Sequence, residues 1–272
     1  MFIEGISIKE IIARIIYSDG LVKFSFYVLL PLAINILSTI VIYFVDPSNI
    51  KSNFSLVLNY LLILTLSAIA ILFFASKWAK YYLKGIEDVV ESTVSGNGSA
   101  SYILNKSKSD FVLMAIAGRK WMDTGVLMDK KIKEIGTRRG NLKFLLLNPN
   151  SSECKKLSIA QNLDENHVSN LIFKTLNELA NYQKKYINIE VELYSFMPIF
   201  RIVIIDYRTI YLGFYKSELG REGSFQLILR PAEEQSLFKP INEYFFTIWN
   251  SQDIKKVDLS RINEKGYIKS LG

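Results

Sequence analysis

Two uncharged runs lying close together constrain this chain more than anything else in it. Phe24 to Val45 (FSFYVLLPLAINILSTIVIYFV) and Ser55 to Ser76 (SLVLNYLLILTLSAIAILFFAS) each run for 22 residues without a charged side chain. A helix rises about 1.5 Å per residue, so each would be about 33 Å long, enough to cross a hydrocarbon core of about 30 Å. Asp46 to Phe54 (DPSNIKSNF) carries turn residues and is too short for a domain. The alternative, two buried helices of a soluble protein, demands an unusually large apolar core from a 272-residue chain. The flanks orient the hairpin. Lys9, Arg14 and Lys23 precede the first run, Lys77, Lys80 and Lys84 follow the second, and the turn holds only Lys51. The positive-inside rule then puts both termini in the cytoplasm. The first run starts too late, and lacks a small-residue cleavage site, for a secretory signal.

The charge balance of +7 and pI of about 9.2 fit a partner of opposite charge. Next to a membrane hairpin that partner is first anionic lipid and second nucleic acid. A single cysteine, Cys154, rules out an internal disulfide and a Cys-rich metal site. A single histidine, His167, removes most His-based catalysis and zinc chemistry. No metal or cofactor is expected.

Isoleucines at 8, 11, 12, 15 and 16 form one helical stripe, so residues 1–20 read as an amphipathic helix in the membrane interface, or as a helix packed on the soluble part. Pro31 and Asn35 interrupt the first span and Asn59 the second. A mid-span proline frees a carbonyl, and a mid-span asparagine needs a partner within the hairpin or across an oligomer. No breaker except Gly85 follows the second span, so the pattern predicts a helical extension to about Thr93, within a 21–94 unit. SGNGSAS (95–101) has linker composition.

From residue 102 to 253 strands and helices alternate, which predicts an α/β domain with a mixed central sheet. Phe111 to Ala117 and Leu142 to Leu147 read as buried strands. Between them a helix is expected over 121–138. Asn148 to Ser152 is a capping loop. A long helical stretch covers 153–185 with a break near 162–166. Strands follow at 187–194, 200–205, 209–214 and 225–230, with Asp206-Tyr207-Arg208 as a hairpin turn. A last amphipathic helix spans 236–250, and 254–272 is a charged tail.

The order strand, GRK, helix, FLLLNPNS, long helix, IEVELY and FRIVIIDYRTIYLGFY resembles a single phospholipase D-like domain over about Asp110 to Asp253. The resemblance implies a His-x-Lys-x4-Asp motif on a strand, its histidine attacking phosphorus and its lysine holding phosphate. Here that motif aligns with Ile199 to Asp206: Arg201 stands at the lysine, Asp206 at the aspartate and Ile199 at the histidine. Isoleucine has no lone pair and forms no phosphoenzyme. What the resemblance leaves is a phosphate-shaped fold in which Arg201 could grip a phosphate with two prongs.

Arg119, Lys120, Asn148, Asn150, Ser151, Arg201, Asp206, Tyr215, Lys216 and Arg221 are the candidate ligand-binding residues. Most fall at expected strand ends, where α/β domains bind ligands. The ligand would carry phosphate, as a nucleotide or nucleic acid, or belong to a nucleoprotein partner. The other reading is a solvated basic face with Arg201 paired to Asp206 or Glu222. The whole layout, lipid bilayer below and sensor domain above, resembles membrane effectors of bacterial anti-phage defence. It implies a homo-oligomer in the bacterial inner membrane with no catalytic residue. The rivals are a membrane-tethered phosphodiesterase, either phospholipase or nuclease, and a scaffold that docks a partner.

Overall fold

The computed structural model describes residues 67, 81, 84–91, 98–186, 189–216, 221–232 and 236–262. The chain divides into two compact units, Met1–Lys84 and Gly85–Gly272, and nearly all described residues belong to the second. The spans expected at 24–45 and 55–76 (Ser67 apart), the amphipathic helix at 1–20, and Pro31, Asn35 and Asn59 lie outside the described residues. Among the described residues no helix is long and apolar enough to cross a membrane.

In chain order the second unit runs β1 (Ile86–Glu91), α1 (Ala100–Lys106), β2 (Phe111–Ala115), α2 (Arg119–Met122), α3 (Val126–Thr137), β3 (Leu142–Leu147), α4 (Ser152–Ala160) and α5 (His167–Lys185). It continues with β4 (Ile189–Tyr194), β5 (Phe200–Ile205), β6 (Thr209–Lys216), β7 (Arg221–Leu229), α6 (Phe238–Trp249), β8 (Lys255–Lys256) and a 3-10 turn, Leu259–Arg261. The strands form one mixed eight-stranded sheet in the order β1-β7-β6-β5-β2-β3-β4-β8. β2, β3 and β4 are parallel to their neighbours in that trio, and the remaining pairings are antiparallel.

The apolar runs FVLMA and LKFLLL take the middle because helices cover both faces of the sheet. Side chains alternate between faces along each strand. On one face Phe111 meets Trp121 of α2, ring centroids 5.4 Å apart, and Phe144 at 6.0 Å. Below them Thr175 of α5 donates its hydroxyl to the Ala117 carbonyl at 2.7 Å. On the other face α6 lays Tyr244 edge-on to Phe200 and Trp249 beneath the Lys143 ammonium. Lys143 is held there by Glu190 of the neighbouring strand at 2.8 Å.

Four segments depart from expectation. The helix predicted to run on to Thr93 gives way to strand β1. Gly85 breaks the run with φ of +77°, and a Cβ there would lie 2.6 Å from the Arg230 carbonyl oxygen. Arg230 in turn donates its N–H to the Gly85 carbonyl at 2.9 Å, which starts the β1–β7 ladder. The expected linker at 95–101 is partly structure: Ser99 accepts from the Tyr102 N–H and caps α1. The single helix expected at 121–138 is two, α2 and α3, parted at Thr124-Gly125. The charged tail is docked as far as Ile262. Lys255 and Lys256 pair with Leu193 and Glu192, and Val257 and Leu259 are buried. The break expected near 162–166 is present, as is the hairpin turn after β5.

Candidate functional site

β5 carries the degenerate motif, and its period-two alternation decides where each member goes. Ile199, just before the strand, is 65% exposed. Arg201 points the opposite way from Phe200, onto the face with Phe111, and is only 1% exposed. Its Nη2 donates to Gln226 Oε1 at 2.6 Å, and Gln226 Nε2 donates on to the Gly98 carbonyl at 2.8 Å. Gly213 is the direct cross-strand neighbour of both Arg201 and Gln226. A Cβ on Gly213 would lie 3.1 Å from Arg201 Nη2 and 3.3 Å from its Cζ and Nε. The guanidinium therefore crosses the sheet over a strand glycine, where only the missing side chain leaves room. It also lies 6.0 Å from the Trp121 ring centroid. Through Gln226, Arg201 forms a buried strut joining β5, β7 and the chain entering α1. The Asp206 carboxylate is engaged elsewhere, with the loop entering β2.

Asp206 sits at the far end of β5. It holds φ of +51° in the turn, a conformation Asp tolerates. Its carboxylate accepts from the backbone N–H groups of Lys108, Ser109 and Asp110 at 2.7–3.1 Å and from the Ser109 hydroxyl at 3.1 Å. Partial burial pushes its pKa up, but the bonds from Asp110, Ser109 and Lys108 outweigh this and hold it below the usual carboxylate value. Its job is to pin the hairpin to the loop entering β2.

At the carboxyl end of β2, by contrast, part of the expected set converges. A cleft of about 200 Å³ is lined by Ala115 to Trp121, Gln161, Val168, Leu171 and Tyr215. Arg119, Lys120 and Tyr215 thus share one site. Tyr215 arrives from β6, its hydroxyl accepting the Ile116 N–H at 3.2 Å. Arg119 is held by Glu178 of α5 at 2.8 Å and by Asp123. Burial lowers its pKa, and these two carboxylates more than reverse that. Trp121 was not anticipated. It is 1% exposed, lines the cleft, and its buried indole N–H has no hydrogen-bond partner among the described residues.

The remaining candidates stand apart. Asn148 uses its side chain for local architecture: Oδ1 accepts the Asn150 N–H at 3.0 Å and Nδ2 donates to Ser195 at 3.2 Å. Ser151 is the first residue before α4, but its hydroxyl donates to the Asn148 carbonyl at 2.7 Å instead of capping the helix. Asn150 is exposed. Lys216 and Arg221 are cross-strand partners in the β6–β7 backbone register. Gln161, Gln226 and Trp121 were missed by sequence reasoning. The available signal was Gly213, a glycine within a strand pattern, which marks close approach by another group. Among the described residues no cluster of acidic, His or Cys side chains could hold a metal ion.

The chain is similar to several solved structures. With a phospholipase D family member, Nuc, from Salmonella typhimurium, it shares 16% identity over 62% of this chain and 96% of that one, TM-score 0.40. With phosphatidylserine synthase from Haemophilus influenzae Rd KW20 the values are 12%, 74%, 49% and 0.43. With TrmBL2, an archaeal chromatin protein described as having a novel mode of DNA binding, they are 14%, 74%, 70% and 0.37. At these values none of the likenesses bears on activity. No protein-family model matches the chain. No curated protein matches it.

Proposed function

We propose that the chain is a membrane effector whose α/β domain is a non-catalytic binding module. The module would take a phosphate-bearing group in the cleft at the carboxyl end of β2 and pass its occupancy to the apolar hairpin. The observation that carries the reading is the fate of the motif: an exposed isoleucine where a nucleophile would stand, and an arginine locked onto Gln226. A guanidinium only 1% exposed and bonded to Gln226 is shut off from the solvent side from which a phosphoryl group would reach it. The cleft supports binding through the Lys120 ammonium and the Trp121 N–H beside apolar walls. The membrane part of the reading is supported by the two 22-residue uncharged runs. A role in bacterial defence against phage is part of the proposal and follows from layout alone.

The test is expression of residues 1–84 beside the full chain. Dye entry into cells making 1–84, and none with the full chain, is the expected result. Equal behaviour of the two would remove the switch. A second reading, a scaffold that docks a protein, is favoured by an aromatic strip across β5–β7 and α6. Phe200 meets Phe214 and Tyr244 edge-on there, and Phe225, 46% exposed, lies 5.5 Å from Phe214 ring to ring. Loss of function in Phe225→Ser/Tyr244→Ser, with ligand binding intact, would favour it.

A further inference from the structure

At the opposite end of the sheet from that cleft lies a larger one, about 610 Å³, between α1, the loop entering β2 and the β5–β6 hairpin. Small-molecule sites fall in the range of roughly 300–1,000 Å³. Its cationic lining is Lys106, Lys108 and Arg208, all exposed, and its one lining carboxylate is Asp206. That carboxylate is already committed to three backbone N–H groups and a hydroxyl. Among the described residues none of the three cations forms an ion pair within 4.0 Å. Glu87, on exposed β1, is the carboxylate that Lys106 feels through space. Lys106 is placed: its ammonium lies 4.7 Å from the Tyr102 ring centroid. The Asp206 bonds tie the hairpin to the loop entering β2, and the buried Tyr211 and Ile205 line the cleft beneath the charges. Three cations against one lining carboxylate leave the cavity net positive, which favours an anionic ligand.

We propose that this cleft is a second anion site, for a small molecule carrying two or more phosphates, of which pyrophosphate is the simplest case and a nucleoside diphosphate the next. Lysines here act as point charges on the phosphates, and Arg208 can offer two parallel N–H donors to one of them. The test is calorimetric titration of the full chain in detergent micelles with ADP, pyrophosphate and adenosine. Saturable ADP binding, competed by pyrophosphate and not by adenosine, is expected. Lys106→Gln/Arg208→Gln should weaken it at least ten-fold and Lys108→Glu similarly. Lys130→Gln, on the exposed side of α3 and away from both clefts, should leave it unchanged. All of these side chains lie at the surface, and thermal melts matching the parent verify folding. No saturable ADP binding, or affinity unaltered in the double variant, overturns the proposal. So does ADP binding that depends on Lys120 alone, or an oligonucleotide that needs Lys106 and Arg208 where ADP does not bind.

Discussion

Arg201 and Gln226 offer the sharpest test of how this domain is built. Gln226→Leu removes the acceptor 2.6 Å from a buried guanidinium and also the donor to the Gly98 carbonyl. A hydrogen bond to a charged group contributes about 1.5–3 kcal/mol and a neutral one about 1 kcal/mol. The single change removes both bonds and should therefore destabilise by about 2.5–4 kcal/mol. Arg201→Met leaves the Gln226 oxygen without its donor and should cost about 1–3 kcal/mol. Arg201→Met/Gln226→Leu replaces both partners by apolar groups, and such replacements of buried polar pairs are often close to neutral. The double variant should then be more stable than the sum of the singles predicts, by at least about 1 kcal/mol. Urea unfolding of the full chain in detergent, followed by near-ultraviolet circular dichroism of the buried Trp121, reads all three. Additivity to within about 0.5 kcal/mol would refute the strut, since uncoupled sites add to that precision.

Three further outcomes follow from the same geometry. Gly213→Ala puts a methyl group 3.1 Å from Arg201 Nη2 and should destabilise by about 1–3 kcal/mol, with most of the loss recovered in Gly213→Ala/Arg201→Met; thermal melts compare them. Asp206 has a depressed pKa in the fold, so its stabilisation is present above the unfolded carboxylate value near 4 and is lost as pH falls through the lower folded value. Asp206→Asn, which keeps a residue tolerant of positive φ, should destabilise at pH 7 by about 2 kcal/mol and make stability less steep in pH below about pH 4. Cys154 is buried and its thiol is pushed up to about 11 by desolvation, so it should react with a thiol reagent only on unfolding; a rate equal to that of a small free thiol would contradict its packing.

The strongest local signals were legible in sequence. The runs at Phe111 and Leu142 became central strands because apolar residues on both sides of the pleat need cover on both faces. The turn at Asp206 was legible from its residue types. β1 was not, because IEDVVE continues a helical pattern and its partner strand lies more than a hundred residues away. β8 was hidden for the same reason: two lysines form a strand only because Leu193 and Glu192 are there to pair with them. At the site, composition suggested which polar residues lie at strand ends, and Arg119, Lys120 and Tyr215 do share a cleft. The burial of Arg201 depended on cross-strand register, which placed Gly213 and Gln226 beside it and which no local pattern contains.

The central claim is that Arg201 serves the fold and not a reacting phosphate. Release of nitrophenol from bis(p-nitrophenyl) phosphate by the purified full chain tests it most directly. The account predicts the rate of buffer alone, for the parent and for Arg201→Met alike. Turnover above buffer that disappears in a folded Arg201→Met variant would contradict it.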